Sequence, residues 1–280
     1  MLFRPTDDFD PGKIAESGQC FRWEALAGED GRRAWRILAS DRALILAAPK
    51  RKDGPYRLSC SKREWDLFWH DYFDMDISYT AVRGLIRKAE DPVLWEACTE
   101  QAGLRILRQD PWEMTVSFLI SQNKNIPAIS RSIRLLCESA GKHLIDPEGM
   151  PYFAFPTPEE VLALGSEGLA ACSLGYRVPY VLAAAEDFSK GRVTAELLRS
   201  LAPPEADAIL RSMKGVGPKV ASCIRLFGLH DLSAFPVDVW MKHVIDRYYG
   251  GISPETRWGD FGGVFQQYLF AWIRSHAGEA

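Results

Sequence analysis

Between Leu210 and Ile224 two helical stretches are joined by only a few residues, Lys214-Gly215-Val216-Gly217. No other segment restricts the fold as much. The first helix ends by Met213. Pro218 starts the second, because the first helical position has no use for the N–H that proline lacks. Gly215 and Gly217 can take φ > 0 and carry no Cβ, so another backbone can come close to the turn. Amides of the turn and of the new helix's first residues then point outward, where a phosphate is readily held. Val216 anchors the turn between the helices, and Ala221 permits their close contact. The segment reads either as an ordinary tight turn between packed helices or as a phosphate-gripping helix-hairpin-helix.

Lys219 is out of place on local grounds. A cation in the first turn opposes the helix dipole, at a cost of ~0.5 kcal/mol. The same field, together with burial against Cys223, Ile224 and Phe227, disfavours the protonated amine. A neutral amine is a nucleophile, whereas an ammonium is not. A lysine that contacts phosphate needs no such shift, so both roles stay open on this segment. The second unusual stretch is Phe235-Pro236-Val237-Asp238-Val239-Trp240. Asp238 reads as the N-cap of the following helix. A capping carboxylate fixed among Phe235, Val237 and Trp240 is also a rigid negative charge, suited to stabilising a developing oxocarbenium ion.

The rest of the chain suggests two parts. Short apolar runs at Trp35-Arg36-Ile37-Leu38 and 43–47 are separated by Ser40-Asp41, and Gly28 to Gly31 punctuate the preceding stretch, as a meander of short strands requires. Residues 56–60 could form a further strand. From Lys62 the period becomes helical, with Trp65, Phe68, Trp69 and Tyr72. Beyond Asp110 the reading is almost all helix. Asp110-Pro111-Trp112-Glu113 and Thr157-Pro158-Glu159-Glu160 each place a capping residue, a proline and a glutamate as a capping box does. Leu174 to Arg177 looks like a helix end and turn before an alanine-rich helix, and Pro203-Pro204 opens another. The expected division is a β-rich part over 1–110 and a helical part over 111–280, with the hairpin at 210–224.

Composition narrows the function without settling it. Lys plus Arg number 34 against 37 Asp plus Glu, a net charge of −3. A nucleic-acid site must therefore be a local patch on a near-neutral body. No stretch approaches the roughly 20 apolar residues of a membrane span, and the start of the chain lacks the chemistry of a secretory leader. A cytoplasmic, nucleoid-associated address is expected. Cys20, Cys60, Cys98, Cys137, Cys172 and Cys223 have no metal-binding spacing and read as reduced, mostly buried thiols.

Lys219 in its hairpin followed by Val237-Asp238-Val239 resembles the HhH-GPD superfamily of DNA glycosylases, and within it the 8-oxoguanine DNA glycosylases with lyase activity. The resemblance runs across most of the chain. Gly18-Gln19-Cys20-Phe21-Arg22-Trp23 looks like that family's early motif. Leu107 to Pro111, Phe118 to Ile126 and Leu174-Gly175-Tyr176-Arg177 look like its next three blocks. The fold implied is α+β: an N-terminal antiparallel sheet domain, like that of the TATA-box-binding protein, packed on a mostly helical HhH-GPD domain.

By that resemblance Lys219 attacks C1′ of an extrahelical nucleotide, expels the base and leaves a Schiff base that undergoes β-elimination, while Asp238 stabilises the transition state. Asn123 fills the vacated space and Tyr176 wedges beside it. Arg177, Gly215, Gly217 and Trp240 complete the DNA contacts. The carbonyl of Gly18 accepts from N7–H, the hydrogen that 8-oxoguanine has and guanine lacks. Cys223 and Phe270 sandwich the base, and Gln266 reads its Watson–Crick edge. The implied partner is duplex DNA carrying 8-oxoguanine or an abasic site, met by a monomer that needs no cofactor, with a monovalent cation at the hairpin carbonyls as an option. Residues 261–280 contain no cysteine, so the iron–sulfur loop of endonuclease III-like relatives is absent. Two positions depart from the vertebrate pattern. Ala128 stands for an arginine that reads the opposing cytosine, and Trp240 for a histidine; both suit the bacterial branch and leave the opposite-base preference open. Without the resemblance, two rivals remain: a glycosylase for another damaged purine, and a non-catalytic DNA-gripping module.

Overall fold

Strands β1 (Leu2–Phe3), β2 (Trp23–Ala27), β3 (Arg33–Ala39), β4 (Arg42–Ala47) and β5 (Tyr56–Leu58) form one antiparallel sheet, ordered β1-β5-β4-β3-β2, in this computed structural model. The structure describes residues 1–27, 31–51 and 54–276; Gly28 lies outside them. Ala39 pairs with Arg42 across the two-residue turn Ser40-Asp41, where Ser40 takes φ +52°. Such tight turns match the twist of the strands they join. Alternation along β3 buries Trp35, Ile37 and Ala39 on one face. Residues 62–72 are helical, as their spacing predicts, but the stretch Trp65–Trp69 is wound as a π-helix. Trp65, Trp69, Tyr72 and Phe73 from this region bury their rings in the sheet lobe's core.

The second lobe is helical, with one unexpected feature. Strands β6 (His143–Ile145) and β7 (Pro151–Phe153) make a small hairpin. Its turn is built by Asp146, whose Oδ1 accepts from the amides of Glu148 and Met150, both at 2.9 Å. Aspartate competes for backbone in this way wherever a turn is on offer. Arg36 on β3 pairs with the same carboxylate at 3.1 Å, so the hairpin is tied to the sheet.

The helix Pro111–Ser121 starts as predicted, with Asp110 Oδ1 accepting from Glu113 N at 2.9 Å. The capping box does not close. Glu113 turns instead to the sheet lobe, where it pairs with Arg22 at 3.3 Å and accepts from Ser40 N at 2.9 Å. Burial pushes its carboxyl up and the Arg22 guanidinium restrains the rise. Thr157 and Glu160 do close theirs, at 3.2 and 2.8 Å.

The extended segment 105–109 joins the lobes. Gln19 donates to Arg105 O and accepts from Leu107 N, both at 2.8 Å, while Gln109 donates from its side chain to Gln19 O at 2.8 Å and from its backbone to Phe227 O at 3.1 Å. The Gly18 turn is thereby held beside the C-terminal end of the helix that carries Lys219. All six cysteines are free and buried, as expected. Among the described residues no helix is long and apolar enough to cross a membrane.

Candidate active site

The helices Pro203–Ser212 and Pro218–Gly228 enclose the hairpin. Its two glycines differ. Gly215 has φ +85°, and a Cβ there would lie 2.4 Å from the Tyr180 ring. Gly217 has ordinary extended geometry (φ −91°, ψ 179°) as N-cap of the second helix, and a Cβ there would meet nothing within 4 Å. Both glycines can take φ > 0, but only Gly215 uses that freedom; the backbone at Gly217 is simply open to approach.

Lys219 is half-buried, its Nζ 5.3 Å from the centre of the Phe118 ring. Phe118 is itself stacked on Phe227 at 5.4 Å, so the floor beneath the amine is rigid. One turn along the helix, buried Cys223 meets the Lys219 amine through its sulfur. Burial pushes the Cys223 thiol up, the amine draws it partly back, and the nearby Asp238 carboxylate adds to the rise. Asp238 caps the helix Val239–Tyr248, with Oδ1 accepting from Met241 N at 2.9 Å. The cap holds this carboxylate in a fixed position. Beside it Val239 and Trp240 are exposed on the first turn, which is unusual for such side chains next to a fixed charge.

A second wall comes from the first and last parts of the chain. Gly18 has φ +77°, and its absent Cβ would sit 3.4 Å from Phe270 and 3.2 Å from Ile126. Phe270 lies on the C-terminal helix Gly262–Ser275, one turn after Gln266. Gln266 is buried, donating to Pro236 O at 3.0 Å and accepting from Gln267 at 3.2 Å. It therefore braces the Pro236–Asp238 segment and keeps one N–H uncommitted.

A third group forms the outer edge. Asn123 adopts φ +51° after the helix Pro111–Ser121, and its Nδ2 donates to the Tyr176 hydroxyl at 3.0 Å. Tyr176 is 51% exposed, so this polar–aromatic pair stands out from the surface. Arg177, expected among the DNA contacts, lies behind this pair, its guanidinium carbon 4.3 Å from the centre of the Tyr176 ring. It is buried, donating to Gln122 O at 2.9 Å and to Leu174 O at 3.1 Å. Gln122 in turn donates to Gly215 O at 3.3 Å, which links the Asn123 loop to the hairpin. Lys124, the next residue after Asn123, donates to Ser132 Oγ and Ser173 O, both at 2.6 Å. Burial pulls its amine down, and the neighbouring Arg177 charge adds to the fall. Ala128 sits in the first turn of the helix Ile126–Ala140, where its amide is capped by Asn125.

Three participants escaped the sequence reading: Phe118 under the lysine, Tyr180 against Gly215, and Arg274. The last lies one turn beyond Phe270, a spacing that places both on one helix face, and this was the available signal. Among the described residues no group of three or more His, Cys, Asp or Glu is arranged to hold a metal.

A half-buried lysine borne in the first turn of the helix that follows a glycine-containing hairpin defines a helix-hairpin-helix protein. Residues 1–115 match the family described as 8-oxoguanine DNA glycosylase, N-terminal domain, and residues 116–257 that of HhH-GPD superfamily base excision DNA repair proteins. The chain belongs to the HhH-GPD superfamily of base excision DNA repair proteins. It is 33% identical over 189 residues to the N-glycosylase/DNA lyase of Saccharomyces cerevisiae, a match covering 64% of this chain. The chain spans half the length of that relative. Among solved structures, MBOgg1 in complex with a low-affinity DNA ligand is 34% identical with a TM-score of 0.90, covering 99% of this chain and 96% of that one. The Clostridium acetobutylicum 8-oxoguanine glycosylase/lyase, in complex with double-stranded DNA containing cytosine opposite to 8-oxoguanine, is 31% identical with a TM-score of 0.88. It covers 99% of this chain and 98% of its own.

Proposed function

We propose that this chain is a bifunctional DNA glycosylase and abasic-site lyase of base excision repair that removes 8-oxoguanine from duplex DNA as a monomer. The observation that carries the reading is the Lys219 amine beside Cys223, with the Asp238 charge near the same thiol and Gly18 set against Phe270. A stacked duplex hides C1′ from an amine, so the lesion must leave the helix. Asn123 and Tyr176 take its place in the stack. The extrahelical base enters between Cys223 and Phe270, with its N7–H on the Gly18 carbonyl and its Watson–Crick edge on the free N–H of Gln266. Guanine presents a lone pair to that carbonyl instead, and a site built around one hydrogen bond discriminates strongly against its loss.

As the C1′–N9 bond breaks, positive charge grows on the sugar and Asp238 offsets it. The Lys219 amine forms the C1′–Nζ bond; the departing base takes up the displaced negative charge and a proton. Ring opening gives an iminium. Loss of a C2′ proton then expels the 3′-phosphate by β-elimination, and the strand is cut. No redox partner or metal enters this sequence. A monovalent cation at the hairpin would compete with Gln122 for the Gly215 carbonyl and is assigned no step. Such a substrate places the enzyme on nucleoid DNA in the cytoplasm. Ala128, on the helix that follows Asn123, has no side-chain donor with which to read the opposing base, which leaves the opposite-base preference open.

Borohydride reduction tests the assignment. The wild-type chain should become covalently trapped on duplexes bearing 8-oxoguanine, and Lys219→Gln should abolish trapping while still binding DNA. Trapping retained in Lys219→Gln would remove the lysine from its role.

A further inference from the structure

One guanidinium touches both sides of the wall formed by Gly18 and Phe270. Arg274, near the end of the C-terminal helix, donates from Nη1 to Glu16 O at 3.1 Å. Glu16 is the last residue of the helix Pro11–Glu16, so its carbonyl is one of those a helix end leaves without a partner. The same Nη1 lies 3.7 Å from where a Gly18 Cβ would stand, and the guanidinium carbon is 5.2 Å from the centre of the Phe270 ring. Its charge faces the carboxylates of Asp238 and Glu16.

The Gly18 turn is anchored by different groups on its two sides. Downstream, Gln19 is fixed by its own amide and by Gln109 to the segment between the lobes. Upstream, Ser17 Oγ donates to Ile14 O of its own helix at 2.7 Å and accepts from Gln19 Nε2 at 2.9 Å. A six-residue helix has little stability of its own. Lys13 ties the middle of that helix to Glu100 O at 2.6 Å and Ala102 O at 2.7 Å, whereas its last residue, next to the turn, is tied by the charge-assisted bond from Arg274, a class of bond roughly twice as strong as a neutral one. The cation beside the Phe270 ring also favours one ring placement, since the aromatic face attracts positive charge.

We infer that Arg274 is the positioning residue of the base pocket: by holding the Glu16 carbonyl and the Phe270 ring together it sets the register between the Gly18 carbonyl and the stacking surface, and so governs recognition of the lesion. The inference rests on the proposed function, which gives that wall its task. Arg274 touches neither the sugar nor Lys219 and has no part in the lyase chemistry.

The two activities therefore separate the possibilities. Single-turnover excision of 8-oxoguanine and cleavage of a preformed abasic site are measured for the wild-type chain, Arg274→Met and Arg274→Lys. Methionine keeps the apolar stem without the guanidinium. Because small misplacements of a bound group are costly, excision by Arg274→Met should fall roughly 10- to 100-fold. Abasic-site cleavage has no base to position and should stay within about twofold. Arg274→Lys, which retains one donor and the charge, should recover much of the excision. Parallel loss of both activities would mean a purely structural role and overturn the inference, as would unchanged excision in Arg274→Met. A wild-type chain that cleaves abasic sites but does not excise 8-oxoguanine would refute the proposed substrate, and the inference with it.

Discussion

Replacing each hairpin glycine by alanine should produce opposite kinds of damage. At Gly215 the new Cβ would lie 2.4 Å from Cγ and 2.6 Å from Cδ2 of Tyr180, on a backbone with φ +85°. The left-handed conformation costs an alanine about 1–2 kcal/mol, and forcing a methyl group into occupied space about 1–3 kcal/mol. A total near ~3 kcal/mol lowers the melting temperature of a chain this size by roughly 6–12 °C. Relief by moving Tyr180 disturbs Tyr176, whose ring sits edge-on to it at 6.1 Å. At Gly217 the methyl group meets nothing and φ is −91°. The gain in chain stiffness, about 0.4–1 kcal/mol, roughly offsets the poorer N-cap, about 0.5–1 kcal/mol. Stability should therefore hold. DNA affinity should not, because the methyl group would cover amides left open for a phosphate; loss of one charge-assisted bond weakens binding roughly tenfold. Thermal melting of the full chain and anisotropy titration with a lesion-bearing duplex measure the two effects. Equal losses of melting temperature, or undiminished DNA binding by Gly217→Ala, would refute the reasoning.

Asp238→Asn keeps an equally good helix cap but removes the charge, so excision should slow by at least about 100-fold with little change in melting temperature; comparable losses of both would reduce Asp238 to a cap. Asp7 supplies a pH test. Burial raises its carboxyl, but hydrogen bonds from Thr80 and from the Asp8 and Tyr79 amides outweigh this and bring it down to about 2, from 3.8. A folded value below the unfolded one stabilises the protein above the ordinary carboxylate range, and the effect is lost as pH falls from there toward the folded value. Urea midpoints of Asp7→Asn should therefore lie below wild type at pH 7 and converge with it between about pH 4 and 2; a constant gap would contradict the assignment.

The strands at 33–39 and 42–47, the caps at Asp110, Thr157 and Asp238, and the hairpin ending in Pro218 were all readable from the chain, because capping and side-chain periodicity are settled within about one helical turn or one strand pair. The Lys219–Cys223 contact follows for the same reason, the two being one turn apart on a helix. Four outcomes were not readable: Glu113 leaving its capping box for Arg22, Lys124 spending its amine on Ser132 and Ser173, Arg177 turning inward to Gln122, and Arg274 reaching Glu16. In each case a long charged side chain had an outward option of similar local cost, and the choice went to whichever carbonyl, hydroxyl or carboxylate the packing of distant segments left within reach. The sequence names the groups capable of chemistry; which of them face the cleft depends on how the sheet lobe and the C-terminal helix close over the hairpin.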